Sequence, residues 1–190
     1  MSESKIFIVA RGPAGSGKSF TARKIMKELG GDVHNIFSTD NHFIPITREL
    51  RKAGEHVPPE DEAEEYKSNF KGWKLSVAHA ENLDNFKKAI DAGVTPIMLD
   101  NTNVIAQHIQ PYAQYAHAAG YRIEIVEPHS EWWQKHAPYL ANKYRFADKI
   151  KDFASLLHKK NTHGVPHEAI ERMLFQWEPN LQLKDILGGE

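Results

Sequence analysis

The chain has 190 residues, a length that fits one domain with a full hydrophobic core. It contains no cysteine, which excludes disulfides, thiol nucleophiles and metal sites built on thiolates. Its 24 basic and 25 acidic residues give a net charge of −1, so the overall charge does not favour a nucleic-acid-binding or membrane-surface protein. No run is apolar enough for a membrane helix and Met1–Lys5 lacks a signal-peptide pattern, so we expect a soluble, cytoplasmic protein with no membrane partner.

The first third of the sequence alternates short apolar runs with a segment of helical spacing. Strands are predicted over Lys5–Arg11 and Asn35–Thr39, with a helix between them over Ser19–Leu29 that ends at two glycines. Residues 44–70 are interrupted by turn-forming residues, which argues against long regular structure and predicts a surface insertion. The interrupting residues are Pro45, Gly54, Pro58 and Pro59.

The same alternation continues along the rest of the chain. A helix over Trp73–Ala92 precedes an apolar strand over Thr95–Asp100, and a helix over Ala106–Ala119 precedes a strand over Tyr121–Val126. From Glu131 to about Trp177 the pattern is helical, with interruptions at proline and glycine.

Strands separated by helices of this length are typical of βαβ crossovers, which give a parallel sheet covered on both faces. The sequence therefore predicts an α/β fold with three layers, α/β/α, around a short parallel sheet of about four to five strands. We expect a single domain over residues 1–180, with the insertion at about 44–70 and a helical lid at about 130–163. Residues 181–190 are expected to form a loosely held C-terminal tail.

The segment Gly12–Ser19 matches the pattern G-x-x-x-x-G-K-[ST] at each fixed position, between a predicted strand and a predicted helix. Glycines let backbone N–H groups converge on phosphate oxygens, and the following helix adds the positive end of its dipole. In such a P-loop, Lys18 reaches the β- and γ-phosphates and the hydroxyl of Ser19 ligates Mg²⁺. We therefore expect a P-loop NTPase fold that binds ATP and Mg²⁺. The residues predicted to bind the nucleotide are Gly12, Ala14, Gly15, Ser16, Gly17, Lys18, Ser19 and Phe20.

Two acidic residues follow predicted strands, at the edge where ligands bind in an open α/β sheet. Asp100 ends an apolar strand, which is the typical position of a Mg²⁺ ligand beside a P-loop. Asp40 follows the second strand, where a carboxylate could accept the proton of a hydroxyl that attacks the γ-phosphate. For each of them, an aspartate that merely caps the next helix or turn is the alternative.

Further short motifs accompany the P-loop along the chain. They are Ser38–Phe43, Glu65–Lys67, Ala78-His79-x-x-Asn82, Leu99–Asn103 and the turn Asn161-x-His163-Gly164-Val165-Pro166. Together with Gly12–Ser19, these motifs resemble the P-loop polynucleotide kinase family. The similarity covers about Ile6 to Trp177 and is greatest to the AAA-type branch that includes the kinase-like domain of 2′,3′-cyclic-nucleotide 3′-phosphodiesterase.

The resemblance implies an ATP- and Mg²⁺-dependent phosphotransferase that acts on a hydroxyl, typically the 5′-hydroxyl of a nucleic acid, with Asp40 as general base. The residues expected to contact the acceptor are Asp40, Phe43, His79, Asn101 and Asn103. Three departures stand out. Phe43 and Asn101 occupy positions where some polynucleotide kinases have arginine and aspartate, and lysines replace the lid arginines at 159 and 160.

The neutral overall charge hides two segments of opposite sign. Between Gln134 and His163 there are seven basic and two acidic residues, a net charge of +5, whereas residues 55–65 contain six acidic residues. Cations on a lid would stabilise the charge of a transferring phosphoryl group and exclude water. The candidate catalytic cations of the lid are Arg145, Lys159 and Lys160. The alternative for each is an ordinary solvated side chain.

Aromatic and histidine residues give weaker signals. Four aromatic side chains could stack on a base, although core packing is their more frequent role. They are Phe43, Trp73, Trp132 and Trp133, of which Phe43 is favoured because it is close to Asp40. A zinc site at His163-x-x-x-His167 is disfavoured, since the intervening glycine and proline disturb a shared helix face.

The sequence therefore favours an ATP-dependent kinase whose acceptor is a nucleic acid or a nucleotide-type hydroxyl. Two alternatives stay open: a nucleotide-dependent nucleic-acid-binding ATPase that phosphorylates nothing, and a kinase of a small metabolite. A P-loop is common to all three, so the acceptor side of the site decides between them.

Overall fold

The computed structural model describes residues 5–189. Residues 1–4, where no signal-peptide pattern was expected, and Glu190, the last residue of the expected tail, lie outside this range. Four parallel strands form one sheet in the order β2-β3-β1-β4. Their bounds are Ile6–Ala10 for β1, Ile36–Phe37 for β2, Ile97–Asp100 for β3 and Arg122–Val126 for β4.

Nine α-helices surround this sheet within the described range. They are α1 (Lys18–Glu28), α2 (Pro45–Lys52), α3 (Pro59–Asn69), α4 (Leu75–Asp91), α5 (Ala106–Ala118), α6 (Glu131–His136), α7 (Ala147–Lys160), α8 (His167–Gln176) and α9 (Leu183–Leu187). Short 3₁₀ turns lie at Val33–Asn35, Thr39–Phe43, Gly72–Lys74 and Ala137–Asn142.

The two faces of β1 show why the sheet is covered on both sides. Phe7 and Val9 point to a core shared with α4, α5 and α9, whereas Ile8 and Ala10 point to α1. All four side chains are at most 1% exposed, so β1 is a central strand buried on both faces. The predicted three-layer α/β/α fold with a short parallel sheet is confirmed, with four strands.

The insertion at 44–70 is more regular than the sequence pattern suggested. Two prolines that were expected to break structure instead begin helices, Pro45 in α2 and Pro59 in α3. A proline at the first helical position removes only an N–H that has no partner there, so it starts a helix without cost. The expectation of little regular structure over 44–70 is therefore wrong.

The C-terminal residues are also more firmly held than expected. Residues 183–187 form α9, whose Ile186 is fully buried against α5. Gln110 and Gln114 of α5 donate hydrogen bonds to the carbonyl oxygens of Asp185 and Leu187 at 3.2 and 3.0 Å. The expectation of a loosely held tail is corrected by these contacts.

The segment expected to form a lid builds a second core beside the sheet. Apolar side chains of α6 and α7 pack against α8, with Trp133, Phe153 and Leu157 among the fully covered ones. This layer carries the turn 161–166 toward the carboxyl edge of the sheet. None of the helices described between residues 5 and 189 is long and apolar enough to cross a membrane.

Candidate functional site

The P-loop lies at the carboxyl end of the central strand β1 and leads directly into α1. Gly15 and Gly17 adopt left-handed backbone conformations with φ of 78° and 87°. Gly17 is the N-cap of α1, and no side chain of the described residues caps this helix end. Its first N–H groups therefore remain available to an anion, and the helix dipole favours negative charge at the same point.

Side chains that follow β4 hold the P-loop from outside. The Ser130 hydroxyl donates a hydrogen bond to the Ser16 carbonyl oxygen at 2.7 Å, and the Trp132 indole N–H donates to the Gly15 carbonyl oxygen at 3.0 Å. A Cβ on Gly15 would lie 2.0 Å from the carbonyl oxygen of Leu157, so this glycine is pressed against the end of α7. The carbonyl oxygens of Gly15 and Ser16 are thus both engaged by side chains that follow β4.

Arg11 anchors the base of the loop and is fully buried. Its guanidinium donates hydrogen bonds to three backbone carbonyl oxygens, at Asn103, Val104 and Glu178, and lies 3.8 Å from the ring centre of Trp177. Burial lowers the pKa of Arg11 to about 10. These contacts tie the end of β1 to the segments that follow β3 and α8.

Lys18 and Asp100 form the charged centre of the site. The Lys18 Nζ lies 2.5 Å from Asp100 Oδ1 and 3.4 Å from the hydroxyl oxygen of Ser19. The two charged side chains are only 10% and 7% exposed. Hydroxyl and carboxylate oxygens are the donors that Mg²⁺ prefers, and an ammonium group suits a phosphate. The residues present therefore fit a magnesium-bound nucleotide.

The predicted general base lies on a 3₁₀ turn that follows β2. Ser38 caps this turn by accepting a hydrogen bond from the N–H of Asp40 at 3.3 Å. The N–H of Thr39 donates to Asn101 Oδ1 at 2.8 Å, and the Thr39 hydroxyl lies 3.1 Å from Nδ1 of His79. Asn101 directly follows Asp100, so the Asp40 turn is joined to the edge of the sheet that carries the Lys18–Asp100 pair.

Two aromatic residues complete the surroundings of Asp40. The ring of His163 stacks on that of Tyr66 with ring centres 4.5 Å apart, and its Nδ1 lies 3.8 Å from Asp40 Oδ2. The Asp40 side chain is 42% exposed, which leaves its carboxylate open to a ligand. Burial, with the nearby Asp40 carboxylate as a second cause, raises the pKa of Tyr66, so its phenol stays protonated.

The lid cations occupy different surroundings. Lys160 lies with its Nζ 4.6 Å from the ring centre of Trp132, the residue that holds Gly15, and therefore stands beside the P-loop. Lys159 is exposed at the end of α7. Arg145 is exposed before α7, with its guanidinium 5.6 Å from the ring of Phe146. Lys160 is thus linked to the P-loop through Trp132.

Two predicted acceptor contacts are buried instead. Phe43 has no exposed surface and packs edge-on against Tyr66 and Phe70, so its ring cannot stack on a base. Asn103 is 1% exposed and donates from Nδ2 to the Ala10 carbonyl oxygen at 2.8 Å. It braces the end of β1 rather than meeting an acceptor. Neither burial could be inferred from the local sequence, because the covering residues are distant in the chain.

The sequence did not assign a role to some residues that the structure brings to the site. These are Arg11, Tyr66, Ser130 and His163. Tyr66 and His163 belong to motifs that resembled the kinase family, and this was the signal that could have pointed to them. His163 and His167 face different partners, Asp40 and Ser155, and no three His, Asp or Glu side chains converge on a metal site within residues 5–189.

Comparisons with known proteins agree with this architecture. A family profile described as "AAA domain" matches residues 7–144, which include all of β1 except its first residue, β2 to β4, the P-loop and both aspartates. NEDD4-binding protein 2 of Homo sapiens is 28% identical over 184 residues, which is 97% of this chain and 8% of that protein. The chain thus spans less than a tenth of the length of that relative. With the profile covering more than half of its residues, the chain belongs to the AAA domain family, a group of P-loop NTPase-like domains.

Proposed function

We propose that this chain is an ATP- and Mg²⁺-dependent kinase that transfers the γ-phosphate to a hydroxyl of a nucleic acid or nucleotide, with Asp40 as general base. The observation that carries the proposal is the half-exposed Asp40 carboxylate on a turn that Asn101 joins to the Lys18–Asp100 pair. Such a carboxylate can take the proton of an attacking alcohol or of an attacking water, and the acceptor panel below separates these two reactions. The likeness to a polynucleotide kinase family over most of the chain supports the same assignment.

The phosphate side of the reaction rests on electrostatic stabilisation. The N–H groups at the start of α1 and the ammonium of Lys18 would hold the β- and γ-phosphates, and Lys160 adds positive charge beside the P-loop. Ser19 and Asp100 would hold Mg²⁺, which neutralises charge that develops on the phosphate oxygens. Lys18 is then free to pair with phosphate instead of Asp100.

The acceptor side of the reaction requires removal of one proton. As the acceptor oxygen forms its bond to the γ-phosphorus, the bond from that phosphorus to the β,γ-bridging oxygen breaks and ADP leaves. The proton of the acceptor hydroxyl passes to a carboxylate oxygen of Asp40. Hydrogen bonds from Thr39 to Asn101 and between Thr39 and His79 fix the turn that presents this carboxylate.

The test is phosphate transfer by Asp40→Asn with ATP labelled at the γ-position. We expect transfer to 5′-hydroxyl oligonucleotides to fall by about 100-fold or more, because the amide cannot take the proton. ATP affinity should change by less than about 2-fold, since Asp40 lies on the turn after β2 and is not one of the residues expected to bind the nucleotide. Asp84→Asn, a substitution of an exposed residue of α4, is the matched control and should leave transfer unchanged.

The acceptor panel contains 5′-hydroxyl oligonucleotides, nucleosides and small aliphatic alcohols. Transfer by Asp40→Asn at the wild-type rate would refute the role of Asp40. ATP hydrolysis with no transfer to any member would refute the kinase assignment in favour of a nucleic-acid-binding ATPase. Preference for the small alcohols would replace the acceptor class with a metabolite.

A further inference from the structure

Three aromatic rings form a near-parallel row beside Asp40. Tyr66 stacks on Phe70 with ring centres 5.4 Å apart at 17°, and on His163 with ring centres 4.5 Å apart at 21°. We propose that His163 is the binding surface for the nucleobase of the acceptor, which continues this row by stacking on the imidazole. The proposal rests on the proposed kinase function and names the part of the acceptor that the site recognises.

The exposure of the rings selects His163 as the contact residue. Tyr66 is 6% exposed, so its ring is covered by its neighbours. His163 keeps 28% of its side chain exposed while its Nδ1 stands 3.8 Å from the Asp40 carboxylate. Phe43, which packs edge-on against both Tyr66 and Phe70, fills the space behind the row. The imidazole of His163 is therefore an exposed ring that packs on Tyr66 and lies next to the Asp40 carboxylate.

The turn that carries His163 is held in place by its own hydrogen bonds. The Asn161 side chain accepts from the N–H of His163 at 3.1 Å and donates to the Val165 carbonyl oxygen at 3.0 Å. Gly164 follows with φ of 68°, a conformation that suits glycine. A ring fixed in this way loses little conformational entropy when a base stacks on it, which favours binding.

The position of His163 matches the chemistry that the acceptor needs. Stacking of a base on an aromatic side chain raises the affinity of the nucleic acid for the protein. Every base has a π-face, so this contact does not depend on which base is present. Because the imidazole adjoins Asp40, a stacked terminal nucleotide has its sugar close to the general base. Lys67 places its Cε 3.7 Å from the point where a Cβ of Gly164 would lie, so a positively charged side chain lies close to the turn that carries His163.

The experiment compares two acceptors of equal length, one with a normal 5′-terminal nucleotide and one whose 5′-terminal nucleotide is abasic. His163→Ala should raise the KM for the normal acceptor by about 5- to 150-fold, the range for losing one stacked base. His163→Phe keeps a ring and should stay within about 3-fold of wild type. With the abasic acceptor, wild type and His163→Ala should have the same KM.

His167→Ala serves as the matched control, because His167 contacts Ser155 and Glu171 and not Asp40. It should leave the KM for both acceptors unchanged. Equal KM values for wild type and His163→Ala on the normal acceptor would overturn the proposal. A pH-dependent loss of kcat in both His163→Ala and His163→Phe, with KM and oligonucleotide binding unchanged, would also overturn the proposal, because His163 would then act on the charge of Asp40 and not on the nucleobase.

Binding measurements separate this proposal from the kinase assignment. The anisotropy of a labelled oligonucleotide is measured with a non-hydrolysable ATP analogue, so no transfer is needed. Weaker binding by His163→Ala, restored in His163→Phe, supports stacking even if no transfer is ever detected. Wild-type affinity of His163→Ala for the normal oligonucleotide refutes stacking, whatever the kinase assay shows.

Discussion

Replacing Gly15 with alanine should separate the P-loop from the end of α7. Gly15 has φ of 78°, and an added Cβ would lie 2.0 Å from the Leu157 carbonyl oxygen and 3.2 Å from the backbone nitrogen of Asn161. Ordinary contacts of a Cβ begin at about 3.4 Å, so main chain has to move on one side or the other. Neither neighbour is a flexible side chain that could turn away.

The magnitude of the Gly15→Ala effect has two parts. A left-handed conformation costs a residue with a Cβ about 1–2 kcal/mol, and a shift of packed main chain adds about 1–3 kcal/mol. A loss of about 3 kcal/mol in the free energy of unfolding corresponds to a Tm lower by about 6–12 °C in a chain of this size. Gly30→Ala is the matched control, because Gly30 has φ of 66° but nothing within 4 Å of an added Cβ.

The assay is thermal and urea unfolding of both variants, followed by calorimetry of ATP binding. Gly15→Ala should be less stable than Gly30→Ala by about 1–3 kcal/mol, the part due to the overlap alone. It should also bind ATP more weakly, because the loop moves, whereas Gly30→Ala should bind as the wild type does. Equal losses of stability in the two variants would show that the contact between the P-loop and α7 carries no energy.

Three further predictions concern other parts of the molecule. Ile186→Ala should cost about 2–5 kcal/mol in urea unfolding, whereas Leu183→Ala in the same helix, 43% exposed, should cost less than about 0.5 kcal/mol. Trp132→Phe removes the hydrogen bond to the Gly15 carbonyl and should weaken ATP binding by about 5-fold in calorimetry. Burial lowers the pKa of His136 below its usual 6.5, so the folded state binds its proton less readily than the unfolded state. The free energy of unfolding should therefore fall as pH drops from about 7 to 5, and less steeply in His136→Asn.

The parts of the fold that the sequence predicted depend on local patterns. Apolar runs of strand length, helical spacing and terminating glycines act over a few residues, so the four strands and the helices α1, α4 and α5 could be located from their own segments. The motif Gly12–Ser19 fixes its own backbone conformation through glycine and the helix that follows, which is why the P-loop was recognisable. Pro45 and Pro59 were misjudged because the same residue breaks a helix in its interior and begins one at its first position.

The acceptor side was harder to predict because its partners meet only after folding. Phe43 is adjacent to Asp40 in sequence, but α3 supplies Tyr66 and Phe70, which cover its ring. His163 lies more than a hundred residues from Asp40, and no periodic pattern connects them. The tail was misjudged for a related reason, since Ile186, Leu181 and Leu187 pack on a core built by residues that are distant in the chain.

The contact between Lys18 and Asp100 has a consequence for selectivity among anions. Each of the two charged side chains is nearly buried and serves as the counter-ion of the other. An anion that binds Lys18 alone therefore leaves the Asp100 carboxylate without a counter-ion in a site with little water. Free phosphate or sulfate offers a partner to the lysine only, whereas a metal-bound nucleotide brings an anion for the lysine and a cation for the aspartate together. We therefore expect inorganic anions to compete poorly with the magnesium nucleotide, even when they are present in large excess.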